Sequence, residues 1–284
     1  LYKKPVLQED LLTAGDQPKP TLDAVNRGTW RLPSTVRAYE RLEGWTDPGE
    51  QAAVEYVAAE VRSRPILDIG VGAGRTTAIL QAISNEYTGI DYTQEMVEIC
   101  RTRHPGAKIM HMDARDLSRL HGNQFALVML SFNGIDAVNF EERQKVLREV
   151  HRVLQPGGLF IVSSHNRHGP GHGEHPRLRL QFSWNPLKLG WRTLRRFRSL
   201  ARSLRNHHRY RVLNETHEGW SIMNCAAHDF GIVVMYTALS EQKRQFGAAG
   251  FKTELVLDNV KGQPVNSDTN TNEIWWFHYI ARKA

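Results

Sequence analysis

Between residues 65 and 166, short apolar runs alternate with longer segments whose apolar residues recur every three or four positions. "PILDIG", "EYTGID", "AKIMHMD", "FALVMLSF" and "LFIVSSH" read as strands. "GRTTAILQAIS", "TQEMVEICRTR" and "FEERQKVLREVHRVL" read as the helices between them, the last with Val146, Leu147, Val150 and Leu154 on one face. Apolar strands separated by amphipathic helices predict a parallel sheet covered on both faces. Upstream, "TDPGEQAAVEYVAAEVRSR" predicts a helix with Asp47 as N-cap, Pro48 at the first helical position and Glu50 where a capping box wants it.

The rhythm breaks at Asn166 and resumes near Glu241. "SEQKRQFGAAG" predicts a helix ending at Gly250, and "FKTELVLD" and "EIWWFHYIAR" predict two final strands joined as a hairpin. The fold class expected is α/β, a Rossmann-like three-layer sandwich. Its sheet has seven mostly parallel strands with the last antiparallel. Residues 1–46, polar and turn-rich, are expected to form an N-terminal arm or cap. Residues 47–166 and 241–284 form the core, and residues 167–240 a basic insertion that roofs a site.

Composition narrows the picture. Forty per cent hydrophobic and 24 per cent charged residues suit a globular protein. The two cysteines, Cys100 and Cys225, supply neither a disulfide framework nor metal-finger spacing, which suits a reducing compartment. The opening "LYKKPVLQED" lacks the apolar stretch of a secretory leader. A cytoplasmic location, with peripheral membrane contact, is the expectation. Eleven Lys or Arg and no acid lie between His175 and Asn214; removing them from the formal +7 leaves about −4 on the rest.

The stretch "ILDIGVGAGRTT" is a strand breaking into a glycine turn ahead of a helix, a form suited to a nucleotide-like group. Its glycines, Gly70, Gly72 and Gly74, are spaced G-x-G-x-G, and Arg75 stands where a dinucleotide-binding turn wants its third glycine. Asp68 precedes the turn; beside a pyrophosphate it would repel, beside an ammonium and a sulfonium it would attract.

With these motifs the chain resembles the class I S-adenosylmethionine-dependent methyltransferases, over about Asp47 to Asn166 and Phe246 to Ala284. "LDIGVGAG" is similar to the family's first motif, and "YTGIDYTQEM" to its second. The resemblance implies that Asp91 holds the two ribose hydroxyls and that Tyr92 and Met96 flank the adenine. "HMDARDL" is similar to the third, implying that Asp113 takes the adenine amino group and Ala114 offers a backbone N–H. Ser131, ending strand four, joins the cofactor wall. Tyr39 resembles the tyrosine that related enzymes lay over the methionine end. The implied cofactor is S-adenosyl-L-methionine, with S-adenosyl-L-homocysteine as product.

A transferred methyl needs a held acceptor, excluded water and, where the acceptor keeps a proton, a base. Phe132, Asn133 and Asp136 after strand four and His165 and Asn166 after strand five face the acceptor in this reading. The sequence "SFNGID" lacks the Asn-Pro-Pro-Tyr or Asp-Pro-Pro-Tyr pattern of enzymes acting on planar exocyclic or amide nitrogens. A small-molecule acceptor, methylated on oxygen or nitrogen and anionic or lipid-linked, is expected. His165 and His228 are the candidate bases. His165, His168, His172 and His175 are too irregularly spaced, with Glu174 the only nearby acid, to predict a metal site.

Within the insertion, Leu187, Trp191, Leu194, Phe197, Ala201 and Leu204 share a helical face and arginines cover much of the remainder. The run 187–205 fits a lid helix packed on the core, or a helix lying on an anionic membrane. An RNA methyltransferase using the same arginines is an alternative, but no nucleic-acid-binding module accompanies them. A non-catalytic S-adenosylmethionine-binding partner protein is another.

Overall fold

A computed structural model describes residues 20–178 and 184–284, leaving residues 1–19 of the expected arm outside the described residues. The elements run α1 (Leu22–Trp30), α2 (Pro33–Glu40), α3 (Pro48–Val61), β1 (Ile66–Ile69), α4 (Thr77–Gln81), β2 (Tyr87–Asp91), α5 (Gln94–Arg103), β3 (Lys108–His111) and β4 (Phe125–Leu130). There follow α6 (Phe140–Val153), β5 (Leu154–Asn166), α7 (Pro186–Tyr210), β6 (Glu215–Thr216), β7 (Trp220–Cys225), the one-turn α8 (Ala227–Phe230), β8 (Ile232–Thr237), α9 (Leu239–Ala248), β9 (Phe251–Asp258) and β10 (Trp276–Lys283).

The sheet has ten strands rather than seven; the seven expected ones run in the order β3-β2-β1-β4-β5-β10-β9, with β10 antiparallel to both neighbours. Alternate residues of each strand point to opposite faces. Leu67, Val128 and Val162 accordingly join one apolar cluster with Val146, Leu147 and Val150 of α6. Ile66, Leu127 and Ile161 join the other with Ala53, Val57 and Val61 of α3. A helix layer on each face makes the three-layer sandwich.

Local chemistry sets the helix starts. Asp47 accepts from the Glu50 backbone at 3.0 Å as the α3 cap, but Glu50 does not reach back: its carboxylate is buried against Arg75. The reciprocal box forms instead at α6, between Asn139 and Glu142.

The chain departs from the sequence pattern in three places. Residues 22–40 are two helices rather than a turn-rich arm; Asn26 of α1 is buried and its amide bonds the Val233 and Ala137 carbonyls. The insertion contains an antiparallel sheet, β6-β7-β8, where only a helix was predicted. Its strand β8 joins the main sheet through His165 and Asn166, beyond Val162 where the β4 pairing of β5 stops. Lastly, α7 does not pack its apolar face on the core. Ser203 on the opposite side is buried, while Leu194, Phe197 and Leu204 are each about half exposed. The side chain of Leu187 lies outside the described residues.

Candidate active site

In an open sheet of this kind ligands bind beyond the carboxyl ends of the strands, where the strand order reverses. Here β1 lies between β2 and β4, and a cavity of about 450 Å³ opens past their ends. Tyr39, Gly70, Gly72, Asp91, Tyr92, Met96, Asp113, Ala114, Ser131, His165 and His228 all line it. Asp68 does not; it lies behind the wall, with the Thr76 hydroxyl donating to it at 2.7 Å and the Tyr87 hydroxyl at 2.9 Å.

The glycine turn is built for close approach. Gly70 and Gly72 hold φ of +73° and +55°, which disfavours any side chain. A Cβ on Gly70 would meet nothing within 4 Å, and one on Gly72 only the Tyr39 ring at 3.9 Å. This is an open cradle that side chains would fill. Behind it, Asp68 Oδ1 is buried without a hydrogen-bond partner, and burial pushes the carboxyl up to about 6.

Asp91 ends β2 at the cavity edge. Its Oδ2 accepts the Gly72 N–H at 2.9 Å and its Oδ1 the Thr93 N–H at 2.8 Å. Burial raises its pKa although both backbone donors pull it down. Each oxygen keeps further acceptor capacity. Glycine cradle and acid at the end of β2 together fit the ribose end of S-adenosylmethionine.

Asp113 lines the cavity with both oxygens already engaged. Arg27 and Arg115 hold both its oxygens at 2.7 to 3.0 Å, and the Arg115 backbone adds a fourth donor. Burial raises its pKa, but the two guanidiniums outweigh that and hold the carboxyl low. Arg27 also lies 4.2 Å over the Tyr92 ring, fixing the opposite wall.

Further residues complete the pocket. Arg75, buried, forms a bidentate pair with Glu50 at 2.5 and 2.7 Å and donates to Ser131 Oγ at 2.7 Å. It thereby ties α3 and the end of β4 to the glycine turn. Trp30, Phe132 and Trp276 add aromatic walls. Trp30 and Phe132 each meet the Tyr39 ring edge-on, at 5.7 and 6.2 Å. Phe132 stands after strand four as expected, whereas Trp30 and Trp276 follow no sequence motif and come from opposite ends of the chain.

The two histidines differ in support. His165 Nδ1 lies 2.8 Å from Asp136 Oδ2, and its backbone N–H donates to the same oxygen at 2.7 Å. Asp136 is fully buried, and its Oδ1 accepts from Arg143 at 2.6 Å and Ser164 at 2.7 Å. Burial raises the pKa of Asp136, yet Arg143 and His165 hold it below the ordinary range. An ionised acid at Nδ1 fixes the Nδ1–H tautomer. His165 Nε2 makes no hydrogen bond among the described residues. Among the described residues the His228 side chain makes ring contacts alone, stacked 6.0 Å from Tyr39 and edge-on to Trp30 at 5.2 Å, and burial lowers its pKa.

The remaining histidines of the loop disperse. His172 bonds Ser221 Oγ at 2.9 Å, and His175 faces His207 edge-on. Among the described residues no three His, Cys, Asp or Glu gather as a metal site. Asn166 bonds the Thr271 and Ile274 carbonyls, a structural role.

Residues 66–158 match the family described as a methyltransferase domain. The chain is 28% identical over 155 residues to a demethylmenaquinone methyltransferase of Chlorobaculum tepidum, covering 52% of this chain and 56% of that one. It is 29% identical over 169 residues to the enzyme of that name from Clavibacter sepedonicus, covering 57% and 59%. The chain thus spans a little over half the length of these relatives. Among solved structures, Burkholderia thailandensis 1,6-didemethyltoxoflavin-N1-methyltransferase superposes with a TM-score of 0.58 at 13% identity, covering 95% of this chain and 93% of that one. The fold is Rossmann-like. Residues 66–158 thus match a methyltransferase domain, and that match implies S-adenosylmethionine as the cofactor.

Proposed function

We propose that the protein transfers a methyl group from S-adenosylmethionine to a proton-bearing oxygen or nitrogen of a small, planar organic molecule. The observation that carries this reading is His165: a cavity-lining imidazole oriented by buried Asp136, in the same cavity as the glycine cradle and Asp91. The cofactor supplies a methyl already activated on a sulfonium. The chain's task is then to hold, orient and deprotonate. Asp91 and the Gly70–Gly72 cradle hold the cofactor. Trp30, Tyr39, Phe132 and Trp276 offer ring faces to a planar acceptor and keep water out. His165 Nε2 accepts the acceptor's proton as the new bond to carbon forms, and the electron pair of the broken C–S bond stays on sulfur. Asp136 stabilises the imidazolium that results. The name of the relatives, demethylmenaquinone methyltransferase, supports a small-molecule acceptor.

The test uses methyl-labelled S-adenosylmethionine with the purified protein and a cell extract split into lipid, small-molecule, protein and RNA fractions. Label in the lipid or small-molecule fraction is expected. Label confined to RNA or protein would overturn the reading. So would tight cofactor binding with no label in any fraction.

A further inference from the structure

An amphipathic helix on a folded domain normally buries its apolar stripe. Helix α7 does the reverse. Its inward side is polar: Ser199 Oγ and Arg202 Nε donate to the Asp229 carboxylate, the latter at 2.9 Å, and Asn206 Nδ2 donates to the Asp229 carbonyl at 2.9 Å. Ser203, between them, is buried. Trp191, Leu194, Phe197, Ala201 and Leu204, at three- and four-residue steps, form the outward stripe and are exposed. Arg195, Arg198 and Arg205 border it, and the helix carries no acid.

We propose that this outward face of α7 docks the protein on an anionic lipid bilayer, the apolar stripe entering the acyl boundary and the arginines meeting the headgroup phosphates. The stripe's company decides the occupant. A bilayer surface with anionic headgroups offers both an apolar interior and negative charge along its whole extent, which suits an apolar stripe edged by cations. A second copy of this chain would set like-charged helices face to face. RNA would leave the leucines and Phe197 without a partner. No described helix is long and apolar enough to cross the membrane, so the contact lies in the surface plane.

The inward side links this surface to the cavity. Asp229 follows His228 directly, and both hold left-handed backbone, with φ of 55° and 53°. Such a turn is costly for these residues and persists only when its surroundings fix it. Here α7 supplies that fixation, so the docked helix stands beside the cavity wall that carries His228.

Co-sedimentation with vesicles of phosphatidylglycerol and phosphatidylcholine tests the proposal without reference to catalysis. The full chain should pellet with vesicles rich in phosphatidylglycerol at low salt and stay in solution with pure phosphatidylcholine. A Leu194→Gln, Phe197→Gln, Leu204→Gln triple variant and an Arg195→Gln, Arg198→Gln, Arg205→Gln triple variant should each lose about tenfold or more in partitioning. Their thermal midpoints should match the parent, since these side chains are exposed. No pelleting at any phosphatidylglycerol content overturns the proposal. So does an apolar variant that pellets normally, retention on polyuridylate without vesicle binding, or an apolar variant that merely turns a dimer into a monomer.

Discussion

Asp136 Oδ2 accepts both the backbone N–H of His165 at 2.7 Å and its Nδ1–H at 2.8 Å, so one buried oxygen fixes the position and the tautomer of the imidazole. The pair joins the end of β5 to the segment after β4. A base held this way gives up little orientation entropy when the acceptor arrives. His165→Gln, which keeps an amide near the same volume, should lower methyl transfer by about 10²–10⁴-fold, the usual contribution of a positioned general base. S-adenosylmethionine affinity, measured by calorimetry, should be unchanged. Equal losses of turnover and cofactor affinity would assign His165 to binding instead.

Asp136 also carries structural load through Arg143. Both side chains are completely buried, and Arg143 further donates to Gln242 and, at 3.1 Å, to the Ile135 carbonyl. Removing one charge from such a pair leaves the other uncompensated, at a cost of about 3–5 kcal/mol. Asp136→Asn should therefore lower stability by that order in urea titrations at pH 7. Because the Asp136 pKa is held low, its stabilisation is present above the ordinary carboxylate pKa and is lost as pH falls through the folded value. The variant and the parent should therefore converge in strong acid. A constant difference down to low pH would show that the carboxylate's charge is not what stabilises.

Asp91 offers the clearest test of the cofactor wall. Its oxygens are already oriented by the Gly72 and Thr93 N–H groups, so they reach the cavity without rearrangement. Hydrogen bonds to a charged acceptor are worth about 1.5–3 kcal/mol each. Asp91→Ala should weaken S-adenosylmethionine binding at least about tenfold in calorimetry. An unchanged affinity would place the ribose elsewhere.

The features legible in the sequence are those whose physical cause is local. The strands β1 to β5 show as apolar runs, and the glycine turn shows because positive φ at Gly70 and Gly72 leaves few other residues possible. Most of what was missed depends on contacts between distant positions. Glu50 looks like a capping-box partner until Arg75, 25 residues on, claims it. Asp113 looks free until Arg27 reaches it from α1. The strands β7 and β8 follow the arginine-rich run, in residues 212–242, which hold no Lys or Arg; β8 is itself an apolar run, "IVVMYT", that a local reading could have found. The apolar stripe of α7 is visible in the periodicity, but not the side it faces. That is decided by Asp229, whose carboxylate draws the polar side of the helix inward.

Asp229 can therefore be tested as the anchor of α7. Asp229→Ala removes the acceptor for Ser199 and Arg202 while leaving the carbonyl that Asn206 bonds. Trypsin should then cut within the arginine-rich helix several-fold faster, with the thermal midpoint of the core little changed. If cleavage in α7 keeps the parental rate, the helix is held by something other than this carboxylate.

Asp68 predicts an opposite pH signature to that of Asp136. Its carboxyl is pushed by burial to about 6, above the ordinary value, so the folded state holds the proton more tightly than the unfolded chain. That contribution is fully present below about pH 4, the ordinary Asp pKa, and is lost as pH rises through about 6. Asp68→Asn keeps an acceptor oxygen for the Thr76 and Tyr87 hydroxyls and removes the ionisation. Without cofactor, the variant should gain on the parent between pH 4 and 7, by about 3 kcal/mol at most from the size of the shift. With saturating S-adenosylmethionine the gain should shrink, because a bound ammonium would favour the ionised parent. Urea midpoints at pH 4 and pH 7.5, with and without cofactor, read all four states. A gain that ignores pH would mean that Asp68 stays ionised throughout. A gain that ignores the cofactor would mean that Asp68 serves only to hold Thr76 and Tyr87.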